Sequence, residues 1–138
     1  MCRRVGLIGL DTNVLIRYLT RDDEAQWQIA NDLISEVVEA SETCFINNIV
    51  LCELVWVLRS RYKISRIDLM DTLEKFLRAS TFVFKNKLAA QRAVLQMKQG
   101  NADFSDYLIA EVNHQQGCTE TATFDAKLRG LEGIRSLS

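Results

Sequence analysis

The sequence predicts an α/β fold, a three-layer sandwich in which helices flank a mostly parallel sheet of four or five strands. Two observations carry this prediction: short apolar runs of strand length alternate with helices or helix pairs, and 48% of the residues are hydrophobic, enough to bury a sizeable core. No linker, repeat or low-complexity stretch interrupts the 138 residues. A single domain spanning residues 1–138 is therefore expected.

The chain opens with the pattern strand, helix, helix. Val5–Leu10 is a short apolar run with two glycines, and a run of this length near glycine favours a buried strand. Thr12–Leu19 follows with helical spacing of its apolar residues. Thr20 and Asp23 have the spacing of a capping box, so we expect them to start a second helix, whose apolar positions recur at helical spacing over 29–38.

The middle of the chain carries the most apolar segment. Thr43–Ile46 predicts a strand, and Asn47 or Asn48 is expected to cap the helix that follows. That helix, Ile49–Arg61, is apolar almost all round, so we expect it to be central, with Trp56 in the core rather than available for stacking on a base. The rest of the chain continues the alternation of helices and strands. The predicted elements are a helix from Ser65 to about Ala79, a strand at Thr81–Phe84, a helix from Asn86 to about Gln99, a helix at Asp103–Gln116, a strand at Cys118–Phe124 and a short fifth strand at Gly133–Leu137.

Charge and cysteine usage exclude several classes of protein. The formal net charge is −1, which argues against a protein that coats nucleic acid through bulk charge. Four cysteines without CxxC spacing and a single histidine, His114, do not predict a zinc site of the usual kind. The longest apolar run, Ile49–Leu58, is short and contains Glu53, so no membrane span is expected. We expect a cytoplasmic protein without a signal peptide, with reduced cysteines, Cys44 and Cys52 lying in the core and His114 on a helix surface.

Two aspartates stand directly after predicted strands. Asp11 follows the first strand and Asp125 follows the fourth. Ligands of parallel α/β sheets bind beyond the carboxyl ends of the strands, so this placement indicates a functional site. Taken alone, however, Asp11 can be an ordinary helix cap and Asp125 an ordinary turn residue.

Glu53 is the only charged residue between Asn48 and Leu58. A carboxylate in so apolar a helix is expected to be buried, and a buried carboxylate needs a partner or a metal ion. The alternative to a metal site is an ion pair with an arginine such as Arg17 or Arg92.

Asp103 and Asp106 lie three residues apart at a predicted helix start, which places both on one helix face or makes them a capping box. The predicted topology brings Asp106 together with Asp11, Glu53 and Asp125. Such a cluster repels itself at neutral pH, and divalent cations would relieve the repulsion. Oxygen ligands without histidine or cysteine suit Mg²⁺ or Mn²⁺, and carboxylate-held cations of this kind serve phosphodiester cleavage.

Four segments in order, LDTNVLIRYLTRDD, NNIVLCELVWVL, ADFSDYLIA and TATFDAKL, resemble the PIN domain and, more closely, the VapC-type toxin ribonucleases of prokaryotic toxin–antitoxin pairs. The similarity covers essentially the whole chain. No single segment is specific, and the ordered set carries the resemblance. The chain departs from the family pattern in several extra residues before Asp11 and in a short C-terminal strand, and neither difference touches the acids.

The resemblance implies a PIN-like fold and an Mg²⁺- or Mn²⁺-dependent endoribonuclease that cleaves RNA phosphodiester bonds with a metal-activated water. It also implies a homodimer and inhibition by a cognate antitoxin protein. The resemblance places the family's four core acids at Asp11, Glu53, Asp106 and Asp125. It matches Asp103 to an extra acid of the family, and it matches two polar supporting residues to Asn13 and Thr123.

RNA contacts are expected from cations near the acids. Arg17 and Arg21 follow Asp11 closely. A second basic group either contacts phosphates or is ordinary surface charge, and it consists of Arg59, Arg61, Lys63 and Arg66. Three other functions remain open from the residues: a receiver-like metal-binding module, a catalytically weak PIN fold that acts through partners, and a DNA phosphodiesterase.

Overall fold

A computed structural model describes residues 6–137. The described residues form five strands, β1 to β5, at Leu7–Gly9, Thr43–Ile46, Phe82–Phe84, Thr121–Thr123 and Ile134–Ser136. They also form six helices, α1 to α6, at Thr12–Thr20, Glu24–Glu39, Asn48–Ser60, Arg66–Arg78, Lys87–Gln99 and Phe104–Gln115. A 3₁₀ turn at Ala126–Leu128, which the sequence pattern did not indicate, follows β4. Val5, where the first strand was predicted to start, lies outside the described residues.

All strand pairs in the described chain are parallel. β1 pairs with β2 and β2 with β3, whereas β4 pairs with β5, so the hydrogen-bond ladders connect the strands in groups of three and two. In the larger group, Cys44 is the register partner of both Ile8 and Phe82. The predicted α/β class, with parallel strands accompanied by helices, is confirmed.

Contacts along the chain gather into two compact units. Unit 1 runs up to Leu69 and includes Arg78–Lys85, and unit 2 consists of Met70–Leu77 and the chain from Asn86 onwards. The three-stranded sheet lies in unit 1 and the two-stranded sheet in unit 2. The prediction of a single domain stays a prediction.

Unit 1 is built around α1, which packs on α2 and α3. Leu15 of α1 and Cys44 of β2 are completely buried, and Leu54 of α3 is nearly so. The start of α3 is capped as predicted, because the Asn47 side chain accepts the Val50 N–H at 2.9 Å. These contacts hold the carboxyl end of β1 and the start of α1 in place.

The predicted start of α2 was wrong. Asp23, rather than Thr20, is its N-cap, and the Asp23 carboxylate accepts the Gln26 N–H at 3.0 Å. Thr20 is still the last residue of α1, where its hydroxyl donates to the Ile16 carbonyl at 2.6 Å. A threonine hydroxyl readily donates a hydrogen bond to the carbonyl one helical turn earlier. Because Thr20 makes that bond within α1, it does not cap α2.

Unit 2 is organised by the close packing of α5 on α6. Three completely buried alanines, Ala89, Ala90 and Ala93, give α5 a narrow face, and Phe104 is completely buried at the start of α6. Helix α5 ends at Gln99, as predicted, and Gly100 is its C-cap. Small side chains let two helices approach closely, so this packing fixes the start of α6, where two of the candidate acids lie.

The prediction that α3 is central and apolar all round was wrong for one of its faces. Ile49 is 72% exposed and Trp56 is 67% exposed, and Glu53 between them is exposed as well. The opposite face, with Leu51 and Leu54, is buried. A helix of a small domain turns one side to solvent, and composition alone did not reveal which side. In residues 6–137, no helix combines the length and the apolarity needed to cross a bilayer.

Candidate acidic active site

Asp11 stands at the junction of β1 and α1, as predicted. It is the N-cap of α1, and its Oδ1 accepts the Thr12 N–H at 2.8 Å. The helix-cap interpretation of Asp11 therefore holds, and it leaves the second carboxylate oxygen, on an exposed side chain, available for a ligand. Asn13, predicted to support the site, is exposed in the first turn of α1.

Thr12 is a polar residue that sequence reasoning passed over. It is only 5% exposed, and its hydroxyl has no hydrogen-bond partner among the described residues. A buried hydroxyl normally has a partner, so an unpartnered one beside Asp11 marks a place where a bound group is expected to contribute. The signal in the sequence was a threonine between two polar residues at a helix start, which resembled ordinary helix initiation.

Glu53 is exposed on α3, so the expectation that it is a buried carboxylate was wrong. The two arginines considered as its partners bind other acids: Arg17 Nη1 lies 3.1 Å from Asp22 Oδ1, and Arg92 Nη1 lies 3.8 Å from Glu111 Oε2. Glu53 is thus an open carboxylate in an otherwise apolar stretch of helix. Such a group is free to meet a cation or a substrate.

Asp103 and Asp106 occupy the start of α6, as the spacing predicted. Asp103 is the N-cap, and Asp106 Oδ2 accepts the Asp103 backbone N–H at 3.2 Å. Burial raises the pKa of the Asp106 carboxyl, the backbone bond lowers it, and the charges of Asp125 and Asp103 raise it again. The capping role and the cluster of acids therefore coexist at this helix start, and the ionised form of Asp106 is disfavoured by its surroundings.

Asp125 follows β4 and starts the 3₁₀ turn. Its Oδ1 accepts the Lys127 N–H at 2.9 Å, and its own N–H donates to Thr123 Oγ1 at 3.0 Å. Asp125 is thus a turn residue, as the alternative interpretation had it, and one of its carboxylate oxygens is used for that role. Thr123, predicted as a supporting residue, fixes the backbone of Asp125 through its hydroxyl, so it orients this acid.

The geometry brings the candidate acids together in part. In unit 2 the charges of Asp103 and Asp125 reach Asp106, whereas Asp11 and Glu53 belong to unit 1, in which α1 packs on α3. Over residues 6–137, no three histidine, cysteine or acidic side chains are arranged to hold a metal ion. That all four core acids share one centre stays a prediction.

The donor chemistry fits a hard divalent cation. The candidate side chains offer carboxylate oxygens, which are the ligands that Mg²⁺ and Mn²⁺ prefer. Burial, and then neighbouring negative charge, raises the pKa of Asp106 and so disfavours its ionised form. A bound cation would favour the ionised form and lower that pKa.

The two arginines predicted to contact RNA are engaged within unit 1. Arg17 pairs with Asp22, and Arg21 Nη2 lies 2.9 Å from Glu24 Oε1 while its guanidinium carbon lies 3.7 Å from the centre of the Trp27 ring. Both ion pairs are at the surface, where water and salt screen the attraction and such pairs add little to the stability of a fold. Phosphates can therefore compete for these arginines.

A cavity of about 390 Å³ lies elsewhere in unit 2. Its lining includes Arg92, Glu111, His114 and Cys118, and it includes none of the candidate acids. His114 is exposed on α6, as expected. None of the residues that line this cavity belongs to the acidic helix start.

Two cysteines were predicted to lie in the core. Cys44 is completely buried, whereas Cys52 is only partly buried. Burial raises the pKa of both thiols, which disfavours the reactive thiolate. A structural role in reduced form is consistent with both positions.

Comparison with known families decides the family. The family model described as PIN domain matches residues 8–134, which is nearly the entire described chain and contains every candidate acid. The chain is a member of the PIN-domain family. A curated relative of this PIN-domain protein is named VapC ribonuclease, from Aquifex aeolicus (strain VF5). The two are 25% identical over 122 residues, which cover 88% of this chain and 90% of the relative.

Proposed function

We propose that this PIN-domain protein is an Mg²⁺- or Mn²⁺-dependent endoribonuclease that acts as the toxin of a toxin–antitoxin pair. One observation carries the catalytic part of the proposal: Asp106 is a half-buried carboxyl whose pKa is raised by burial and by the charges of Asp125 and Asp103. Neighbouring carboxylates repel one another, which lowers the stability of the folded state. The same concentration of negative charge favours binding of a cation. The similarity to a relative named VapC ribonuclease supports RNA as the substrate class.

The roles of the side chains follow from their contacts. Asp106 and Asp125 each use one oxygen for a backbone bond, which leaves the other oxygen to bind a cation in a fixed orientation. Thr123 keeps Asp125 in place through the backbone bond to its hydroxyl. Asp103 adds negative charge beside them. When bound, a cation supplies the Lewis acidity that activates water and stabilises the leaving oxygen of a phosphodiester.

Unit 1 contributes the remaining acids in this proposal. Asp11 has one carboxylate oxygen beyond the helix cap with which to bind a cation. Glu53, exposed and unburdened by an arginine, orients the attacking water and accepts its proton. No side chain needs to act as a nucleophile, which agrees with the raised pKa that burial gives the Cys44 and Cys52 thiols.

The partners in the proposal are an RNA substrate, a cognate antitoxin and a second copy of the chain. They rest on the resemblance to VapC-type proteins. The cytoplasmic location expected from the sequence likewise stays a prediction.

Cleavage of a labelled single-stranded RNA in the presence of Mn²⁺ tests the catalytic proposal. We expect Asp106→Asn and Asp11→Asn to lower the rate by at least about 100-fold, because each removes a cation ligand. Asp32→Asn, which changes an exposed acid on α2, is the matched control and should cleave like the wild type. Unchanged cleavage in both active-site variants, or cleavage that persists in excess EDTA, would overturn the proposal, and faster cleavage of single-stranded DNA would overturn the substrate class.

A further inference from the structure

Helix α3 presents a continuous exposed stripe. Its members recur at helical spacing, and they are Ile49, Glu53, Trp56, Arg59 and Ser60. Trp56 lies about 4.5 Å along the axis from Glu53 on one side and from Arg59 on the other, as three residues of helix require. A large apolar ring therefore stands between the proposed catalytic carboxylate and a guanidinium.

The two tryptophans of the chain differ in what covers them. The face of Trp27 is occupied by the guanidinium of Arg21, 3.7 Å from the ring centre. Trp56 is 67% exposed and has no aromatic or cationic partner among the described residues. Exposing so much apolar ring surface to water costs free energy, so the open face of Trp56 suits a flat, polarisable ligand.

Cations follow Trp56 at the end of α3. Arg59, Arg61 and Lys63 are all exposed, and none of them forms an ion pair within residues 6–137. The surface after α3 therefore has uncompensated positive charge, in a chain whose overall net charge is −1. Phosphate groups are the complementary ligand for such a cluster.

We infer that Trp56 is a substrate-binding residue that stacks on a base of single-stranded RNA, while the cations after α3 hold the adjoining phosphates. This inference rests on the proposed ribonuclease function, because it places the nucleotide next to Glu53. A single strand is the class that fits, since the base faces of a duplex are already covered by their neighbours. A second copy of the chain fits less well, because the cores of protein interfaces are depleted in charged residues and this stripe contains Glu53 and Arg59.

The fluorescence of Trp56 tests the inference directly. Trp27→Phe leaves Trp56 as the single tryptophan, and excess EDTA prevents cation-dependent cleavage during the titration. We expect a single-stranded RNA dodecamer to quench Trp56 emission in a saturable way. An abasic dodecamer with the same sugar–phosphate backbone should bind through the cations and leave the emission nearly unchanged.

Affinity measurements on variants provide the second arm. We expect Trp56→Ala to weaken binding of the RNA dodecamer by about 5- to 150-fold, the range that loss of one stacked base produces. Trp56→Phe should recover part of the loss, because it restores an aromatic face. Ile49→Ala is the matched control, since Ile49 is 72% exposed on the same stripe and cannot stack, and it should bind RNA like the wild type.

Two results would overturn the inference. One is RNA binding without quenching of Trp56, or equal quenching by the abasic strand. The other is emission that shifts to the blue with protein concentration and does not respond to RNA, which would mean that a second copy covers the stripe. Cleavage with Mn²⁺ is scored separately, so loss of cleavage with intact quenching counts against the catalytic proposal and leaves the binding inference standing.

Discussion

Asp106 is a side chain whose ionised form is unfavourable for folding and, in the proposed function, useful for binding a cation. Its carboxyl is half-buried and accepts a backbone N–H, yet burial and the charges of Asp125 and Asp103 raise its pKa. Because the unfolded chain keeps the ordinary carboxyl pKa, ionisation costs the folded state more than the unfolded state. The resulting loss of stability sets in as pH rises past the ordinary pKa and is complete above the raised one.

We therefore expect Asp106→Asn to make the cation-free protein more stable at neutral pH. The asparagine oxygen can still accept the Asp103 N–H, and the penalty for a buried charge disappears. Urea unfolding in EDTA at neutral pH, repeated below the ordinary carboxyl pKa, measures the effect. The gain should vanish at low pH, and Asp32→Asn should show no comparable gain; a less stable Asp106→Asn at neutral pH would contradict this account.

Asp22 shows the opposite shift. The bond from the Tyr62 hydroxyl at 2.7 Å, followed by bonds from Thr20 and Arg17, lowers the pKa of Asp22. The stability that it contributes is present above the ordinary carboxyl pKa and is lost as pH falls through the lowered one. The Tyr62 bond joins residues 40 positions apart, so it connects the segment before α2 to the segment after α3.

Tyr62→Phe should lower the urea midpoint slightly at neutral pH, since it removes the largest cause of that shift from an exposed site. The difference from the wild type should shrink below the Asp22 pKa. In an Asp22→Asn background the same change should have a smaller effect, because the two groups share one interaction. Equal effects in the two backgrounds would show that the Tyr62 ring acts through packing alone.

Helix ends were predictable where a local hydrogen bond decides them. Asn47 caps α3, the Asp68 N–H donates to Ser65 Oγ at 3.1 Å at the start of α4, and Gly100 ends α5. The start of α2 was mispredicted because Thr20 had a competing carbonyl within its own helix. The buried and exposed faces of α3 were not predictable, since nearly all of its residues are apolar and only packing selects a side.

The junction between α5 and α6 provides a test of packing at an element boundary. A methyl group added at Gly100 would collide with the Tyr107 hydroxyl, whose oxygen accepts the Ala102 N–H at 3.3 Å. We expect Gly100→Ala to lower the free energy of unfolding by about 1–3 kcal/mol, the usual cost of overpacking. Thermal or urea unfolding measures this.

Gly9→Ala is the matched control, because a Cβ at Gly9 has nothing within 4 Å. It should change stability far less than Gly100→Ala. If the two substitutions cost the same, the collision with Tyr107 is not what makes Gly100 necessary.

The candidate acids are distributed over both compact units. Asp11 and Glu53 belong to unit 1, and Asp103, Asp106 and Asp125 belong to unit 2. A cation that binds the native chain and not the unfolded chain stabilises the native state, by about 2.7 kcal/mol at one hundred times its dissociation constant.

We expect Mn²⁺ to raise the thermal unfolding midpoint of the wild type and to leave that of Asp106→Asn nearly unchanged. Asp11→Asn should lose part or all of the shift as well, because the proposal makes Asp11 a cation ligand too. Differential scanning calorimetry with and without Mn²⁺ measures this, and Asp32→Asn should respond like the wild type. A full shift in Asp11→Asn would contradict the proposed role of Asp11 as a cation ligand.

The sequence alone determined the alternation of parallel strands and helices, the main helix caps and the position of acids after β1 and β4. These features depend on short-range periodicity, on local hydrogen bonds and on the directionality of parallel strands. Residues close together in the sequence determine all three. Only the tertiary structure decided that Glu53 and Trp56 face solvent, that Thr12 buries a hydroxyl without a partner in the described chain, and that Arg17 and Arg21 bind acids of their own unit. The burial of a side chain and the partner of a charged group depend on which distant segments pack together. A local sequence pattern does not determine that packing.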